Sequence, residues 1–135
     1  MLHMLDTDIA SYVIKDYDGL HVQKKLAALN SGEACVSALT RAELLFGLKM
    51  LPPKHRLHIG VKKFLNSVEV LAWPPEAAEF YADIRYELTR TGNPIGEMDM
   101  LIAAHAIAVD AVLVTNNTRH FKRINLPLMM ANWMQ

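Results

Sequence analysis

Short apolar runs alternate along this chain with longer segments in which apolar residues recur every three or four positions. The short runs predict β-strands over 1–5, 34–37, 68–71 and 111–114, with an edge strand over 126–130. The longer segments predict a helix from Thr7 or Asp8 through Ile14, and further helices over 20–29, 40–50, 54–66, 75–91 and 98–109. Strands that alternate with helices in this way form a parallel sheet covered on both faces, so we expect an α/β fold in one domain over 1–135.

Residues that cap or break helices indicate where several of these elements end. Thr7 or Asp8 is the expected N-cap of the first helix, and Asp16–Gly19 is expected to end that helix. Pro52-Pro53 is expected to end the helix over 40–50. A loop or a short helix is expected over 116–122.

The composition excludes several classes of protein. At 135 residues, 52% hydrophobic and 21% charged, the chain is neither disordered nor a coiled coil. Its one cysteine, Cys35, allows no intrachain disulfide and is expected in the core, which fits a cytoplasmic protein. We expect no membrane span and no signal peptide. Lys and Arg balance Asp and Glu at a net charge of zero, which does not favour a strongly basic nucleic-acid binder.

Acids and polar side chains stand where the predicted strands end. Asp6 follows the first strand, Ser37 ends the second, and 115–117 follows the fourth. Ligands of parallel sheets bind at the carboxyl ends of the strands, so we expect these side chains to converge, joined by Glu43 and Asp99. Three carboxylates in a small volume repel one another unless a divalent cation neutralises them. This favours Mg²⁺ or Mn²⁺ and metal-assisted phosphodiester cleavage.

Each candidate ligand also has a plainer interpretation. Asp6 has the residue type of a helix cap, although we expect Asp8 to be the cap and Asp6 to be a ligand. Glu43 stands at capping-box spacing from Thr40, so a bond to that residue's backbone fits as well as a ligand role. Asp99 opens the most apolar helix, where an acid also complements the helix dipole.

Thr115 and Asn117 are candidates for orienting a water molecule. An amide oxygen ligates a hard cation, or holds its water, without adding charge, although asparagine is also common in turns. The six histidines show no zinc-type pairing with cysteine. His105, in an apolar helix, is expected to be a hydrogen-bonded core residue. Basic residues over 119–123 fit either phosphate contact or a solvated face.

Four motifs, in order, resemble the PIN-domain nucleases and most closely the VapC toxins of VapBC toxin–antitoxin pairs. They are Leu5-Asp6-Thr7; Ser37-x-x-Thr40-x-x-Glu43-Leu44-x-x-Gly47; Ile95-Gly96-x-x-Asp99-x-Leu101-Ile102-Ala103-Ala104-His105-Ala106; and Leu113-Val114-Thr115-Asn116-Asn117-x-x-x-Phe121. Any one motif has low specificity, but four at family-like spacing are strongly specific. The resemblance covers nearly the whole chain.

The resemblance implies a Mg²⁺- or Mn²⁺-dependent endoribonuclease with a flavodoxin-like, three-layer α/β/α sandwich around a parallel sheet. Asp6, Glu43 and Asp99 fall on the family's three acidic positions, and Asn117 falls where many members carry a fourth acid. The resemblance also implies a structured RNA substrate, with tRNA suggested, a homodimer, and a VapB-like antitoxin whose segment lies in a groove and blocks the acids. The roles of Asp8 and of Glu97 beside Asp99 stay open.

Two functions of other classes also fit the sequence. One is a catalytically silent PIN-like module that binds RNA or protein, in which the acids serve only as caps. The other is a metal-dependent nuclease on DNA, or a phosphohydrolase on small phosphate esters. Stabilisation by divalent cations on melting counts against the first, since a ligand that binds only the native state stabilises it. Cleavage of RNA and DNA oligomers, compared under identical salt, distinguishes the second from a ribonuclease.

Overall fold

The computed structural model describes residues 1–15 and 19–134 of the chain. The described helices are α1 (Thr7–Lys15), α2 (Gly19–Ala27), α3 (Ala38–Lys49), α4 (Leu57–Ser67), α5 (Ala77–Thr91), α6 (Glu97–Ala108) and α7 (Thr118–Phe121). The described strands are β1 (His3–Leu5), β2 (Ala34–Ser37), β3 (Glu69–Leu71), β4 (Val112–Val114) and β5 (Met129–Ala131). Within the described ranges, no helix is long and apolar enough to cross a membrane.

The five strands form one sheet in the order β3-β2-β1-β4-β5, and every pair of neighbours is parallel. From β1 the chain builds outward through β2 and β3 on one side, and later through β4 and β5 on the other. The direction therefore reverses between β1 and β4. In open parallel sheets, such a reversal leaves a crevice at the carboxyl ends of the two strands, where ligands bind.

Helices cover both faces of the sheet, which confirms the predicted three-layer α/β/α arrangement. Successive strand residues point to opposite faces. Met4 and Leu113 belong to one core cluster with residues of α5 and α6, whereas Leu5 and Val114 belong to a second cluster with residues of α1, α3 and α4. These strand residues are fully buried, so the sheet is held between two apolar layers.

The N-cap of α1 differs from the expectation, because the helix begins at Thr7 and Asp6 caps it. The backbone N–H of Ile9 donates to Asp6 Oδ1 at 2.9 Å, so the prediction that Thr7 or Asp8 is the cap is wrong. Three adjacent residues offer cap-type side chains here. The end of β1 decides among them, because the first polar residue after the strand becomes the N-cap.

Other boundaries shift by a few residues. The helix predicted over 40–50 begins at Ala38, because Ser37 accepts the backbone N–H of Leu39 at 3.1 Å as its N-cap. The helix break predicted at Asp16–Gly19 lies outside the described residues except for Gly19, which begins α2. The last strand starts at Met129 rather than 126, beyond Pro127, whose nitrogen has no hydrogen to donate to a sheet.

Candidate active site

The predicted polar side chains meet at the carboxyl ends of β1, β2 and β4. Asp6 follows β1 directly and Thr115 follows β4, so both lie where the strand order reverses. The hydroxyl of Thr115 hydrogen-bonds the carboxylate of Asp6. Both side chains are buried, with 4% and 0% of their residue surface exposed. The two neighbouring strands are therefore joined through a buried carboxylate.

Burial puts the Asp6 carboxylate in an unusual electrostatic state. Desolvation raises the pKa of Asp6 to about 7, and the negative charges of Asp8 and Asp99 raise it further, against the lowering effect of hydrogen bonds from Thr115 and Ile9. A carboxyl group with this pKa is partly protonated at neutral pH. A nearby cation would return it to the ionised form.

Asp99 stands in the first turn of α6, half-buried, and belongs to the same cluster of charge. Burial raises the pKa of Asp99, and Asp8 and Glu43 raise it further, whereas His120 lowers it. Together with the effect of Asp99 on Asp6, these couplings show that acids from α1, α3, α6 and the end of β1 share one neighbourhood. Asp8, which we expected to be a cap, contributes its charge to this neighbourhood instead.

Glu43 is held by α1, not by the start of its own helix. The hydroxyl of Thr7 donates to Glu43 Oε1 at 2.5 Å and lies 3.1 Å from the hydroxyl of Thr40. Because Ser37 caps α3, the capping-box interpretation of Glu43 and Thr40 is wrong. The residue after Asp6 thus links Glu43 to the end of β1.

Asn117 and His120 complete the cluster on the β4 side. The backbone N–H of Asn117 donates to Thr115 Oγ1 at 2.9 Å, and Asn117 Nδ2 lies 2.7 Å from His120 Nδ1. Hydrogen bonds therefore run from the buried carboxylate of Asp6 outward through Thr115 and Asn117 to an imidazole. We did not single out His120 from the sequence. Its spacing of three from Asn117, one helical turn, was the signal available.

Glu97 lies apart from this cluster although it is near Asp99 in sequence. It is exposed, accepts a hydrogen bond from the Tyr81 hydroxyl at 3.0 Å, and lies 3.7 Å from Arg85 of α5. Its role, left open by the sequence, is a surface contact between α5 and α6. An exposed pair of this kind contributes little to stability.

The cluster fits a hydrated cation better than a cage of three protein ligands. Among residues 1–15 and 19–134, no three His, Cys, Asp or Glu side chains are arranged to hold a metal ion. The oxygen donors present, carboxylates with hydroxyl and amide neighbours, suit a hard cation. Mg²⁺ keeps several waters and needs only one or two carboxylates. Burial and, to a smaller extent, repulsion between neighbouring acids raise the pKa of Asp6 and Asp99, and such an ion would offset both effects.

A buried Ser–His pair joins the end of β2 to α6. His105 Nδ1 lies 2.8 Å from Ser37 Oγ, and burial lowers the pKa of His105. In the described part of the chain, His105 Nε2 is a buried side-chain nitrogen without a hydrogen-bond partner, so the expected core histidine is satisfied on one side only. The pair ties α6, which carries Asp99, to the cap of α3, which carries Glu43.

The thiol of Cys35 is a core group, as expected. It is fully buried, and burial raises its pKa to about 12. A thiol with that pKa is protonated at neutral pH and is not a nucleophile.

A groove of about 270 Å³ runs beside the acids between α1, α3 and α4. It follows α1 from its first residue, Thr7, to its last, Lys15, and Glu43 lines it. Its walls are mostly apolar, with side chains from each of the three helices and the following loop: Ile14, Leu44, Leu48, Leu51, Leu57 and Val61.

Known proteins resemble this chain in both sequence and fold. The PIN domain family matches residues 3–126. Ribonuclease VapC2 of Rickettsia felis is 37% identical over 134 residues, 98% of each chain, and the tRNA(fMet)-specific endonuclease VapC of Shigella flexneri is 38% identical over 121 residues, 90% of each. A chain in the crystal structure of DNA-bound VapBC from Salmonella typhimurium has a TM-score of 0.89 at 36% identity, covering 98% of this chain and 99% of that one.

The chain therefore belongs to the PIN domain family. Its relatives at this level of identity carry the name VapC, which confirms the resemblance seen in the four motifs.

Proposed function

We propose that this chain is a VapC-type endoribonuclease toxin that uses Mg²⁺ or Mn²⁺ to hydrolyse phosphodiester bonds in structured RNA. The observation that carries the proposal is the convergence of Asp6, Glu43 and Asp99. Burial raises the pKa of Asp6 and of Asp99, the charge of Asp99 adds to the shift of Asp6, and the charge of Glu43 adds to the shift of Asp99. Burying acids of like charge close together is unfavourable, and a cation bound in the crevice of the sheet would relieve that repulsion. The proposal that the cleaved bond is in RNA rests on relatives that are named as a ribonuclease and as a tRNA-specific endonuclease.

In this proposal Asp6 and Asp99 would hold the ion directly, and Glu43 would hold it directly or through water. Bound Mg²⁺ or Mn²⁺ would supply Lewis-acid chemistry, polarising a phosphate oxygen and lowering the pKa of a water so that it can act as the nucleophile. Thr7 fixes the direction of Glu43 through its hydroxyl. Thr115 holds Asp6, and Asn117 orients the water through its amide oxygen. No side chain acts as a covalent nucleophile, in agreement with the raised pKa of Cys35.

Replacement of Asp99 tests the catalytic role of the cluster. Asp99→Asn removes one charge while keeping the shape of the side chain, and should lower RNA cleavage by at least about a hundredfold, the order of magnitude of metal-assisted stabilisation. The matched control is Asp83→Asn, an exposed acid of α5 outside the cluster, which should leave the cleavage rate unchanged. Cleavage of labelled RNA with Mg²⁺ measures both, and an Asp99→Asn variant as active as the parent would contradict the assignment.

We infer that the RNA is tRNA, on the strength of the relative named for tRNA(fMet). The net charge of zero argues against high affinity for RNA in general, so shape and local contacts select the substrate. The exposed basic residues Arg119, Lys122 and Arg123 lie on and beside α7, next to the cluster. Sequencing of RNA ends after brief expression, with Asp6→Asn as control, should place new ends in tRNA. Ends confined to mRNA, or cleavage of DNA at an equal rate, would contradict this inference.

We also infer that a segment of a VapB-like antitoxin occupies the groove between α1, α3 and α4. Related chains are solved as VapBC complexes, and an apolar segment in this groove would cover Glu43. Leu51→Glu places a charge in the groove and should weaken binding strongly, because an unpaired charge is costly to bury. The control is Leu45→Glu on α3, at a position that does not line the groove.

The binding test first looks for a small reading frame beside the gene for this chain and then measures co-purification of its product with each variant. The proposal predicts loss of the complex with Leu51→Glu and its retention with Leu45→Glu. Retention of the complex by both variants would place the antitoxin on another surface.

A homodimer, a cytoplasmic location and a single domain over 1–135 complete the proposal. They rest on the family resemblance and on the residue patterns described above. Sedimentation equilibrium of the purified full chain tests the first, with a mass of twice 15.2 kDa expected and a monomer contradicting it.

A further inference from the structure

We propose that His120 is a further RNA-contacting residue of this site, whose Nε2–H donates a hydrogen bond to a non-bridging oxygen of the phosphate being cleaved. This inference rests on the proposed ribonuclease function and extends it by one side chain. The proposed contact is a hydrogen bond from the neutral imidazole of His120, and no covalent bond forms or breaks in it.

The hydrogen bond to Asn117 determines which nitrogen of the ring carries the proton. Asn117 Nδ2 lies 2.7 Å from His120 Nδ1, and an amide nitrogen only donates. The ring must therefore accept at Nδ1, and the neutral imidazole carries its hydrogen on Nε2. In this tautomer the outer nitrogen is a donor, which is the group that a phosphate oxygen requires.

The surroundings of the ring leave this donor available. Within the described ranges, His120 Nε2 makes no hydrogen bond and is not among the buried unpartnered nitrogens. The residue is only half-buried. By contrast, His105 is fully buried, and its unpartnered Nε2 is buried as well. Of these two histidines, only His120 presents a donor that an incoming RNA can reach.

The ring also lies near the atoms that the reaction involves. The His120 ring lies within electrostatic range of Asp99, and its partner Asn117 is tied through Thr115 to Asp6. A phosphate drawn to a cation between Asp6 and Asp99 therefore approaches the imidazole. Repulsion between that phosphate and the acids makes a hydrogen-bond donor on this side useful, because such bonds to charged groups are stronger than neutral ones.

The competing interpretation is that His120 serves only to hold Asn117 in place. Two substitutions separate these interpretations, because each keeps a different half of the ring's hydrogen bonding. His120→Asn keeps a polar group near Nδ1, where Asn117 bonds, and removes the outer donor. His120→Gln places an amide nitrogen near Nε2, and removes the acceptor for Asn117.

The test measures cleavage of bulk bacterial tRNA by the full-length chain with Mg²⁺, and the affinity for the same tRNA in an Asp6→Asn background. His120→Asn should lower the cleavage rate by about tenfold, the order of one hydrogen bond to a charged group, and weaken binding. His120→Gln should retain most of both. Urea unfolding of each variant shows what fraction is folded in the assay. His58→Asn, which alters a half-buried histidine of α4 bonded to the Pro52 carbonyl, is the matched control and should change neither quantity.

The reverse order, with His120→Gln impaired and His120→Asn active, would overturn the proposal in favour of the role in holding Asn117. Equal loss in both variants would also overturn it, since the donor kept in His120→Gln would then have no effect. A parent chain that cleaves tRNA alongside an unimpaired His120→Asn overturns this inference alone. A parent chain that cleaves no RNA overturns the proposed function and this inference with it.

Discussion

At the residue scale, the Asp6 carboxylate both caps a helix and lies buried among other acids. It caps α1 through the N–H of Ile9, which accounts for its place after β1, and it lies buried beside Asp8 and Asp99 with a pKa of about 7. A cap alone needs no such neighbours, because serine or asparagine caps a helix equally well. The buried negative charge is therefore the feature that the cap does not explain.

The stability of the metal-free protein should depend on pH through Asp6. The folded pKa is about 7 and the unfolded value is 3.8, so between these values the folded state binds more protons. Stability therefore falls as pH rises through this window, by about 4 kcal/mol, and is lowest above pH 7. Asp6→Asn keeps the cap and removes the titration, so it should be more stable than the parent at pH 8 in chelator.

Urea unfolding at pH 5 and pH 8 measures this effect, and the difference between parent and Asp6→Asn isolates Asp6 from other titrating groups. The two proteins should differ most at pH 8. A parent that gains stability relative to Asp6→Asn as pH rises would contradict the assignment of a buried, repelled carboxylate.

At the scale of elements, the strands were predictable and the choice of caps was not. Buried apolar runs define strands independently of their surroundings, so the runs before Asp6 and Thr115 were recognised from the sequence. The residue that caps a helix depends on where the preceding strand ends, and the type of a single residue does not determine that position. For α3, the N-cap is Ser37 and not Thr40. The bond from Thr7 to Glu43 joins residues 36 apart, and no local pattern indicates it. Asn117 lies after β4, where the sequence placed it, but its hydrogen bond to His120 was not foreseen.

The pair of Ser37 and His105 should stabilise the packing of α6 against α3 and β2. Ser37→Ala removes the cap of α3 and leaves His105 Nδ1 buried without its partner. The expected cost is about 1–3 kcal/mol of unfolding free energy, that of a buried polar group left unsatisfied. Ser31→Ala, in an exposed turn, is the control and should stay within about 0.5 kcal/mol of the parent.

Equilibrium unfolding in urea measures both variants. A Ser37→Ala variant as stable as Ser31→Ala would mean that the hydrogen bond and the cap contribute nothing net to the packing of these elements.

At the scale of the whole molecule, the topology brings the acids together. The strand order reverses between β1 and β4, so the ends of both strands open into one crevice, and α3 and α6 start at the same edge. Residues as far apart in the sequence as Asp6 and His120 lie close together there. The order of motifs along the chain indicated the fold, but the side-chain contacts required the assembled sheet.

The central claim, that these acids hold a divalent cation, is tested most directly by the anomalous diffraction of Mn²⁺ in crystals of the full chain. The account predicts a strong anomalous peak at the carboxylates of Asp6 and Asp99, with Glu43 bound to the ion directly or through water, and no such peak in crystals of Asp99→Asn grown alike. Manganese bound elsewhere, with these three side chains directed away from one another, would contradict it.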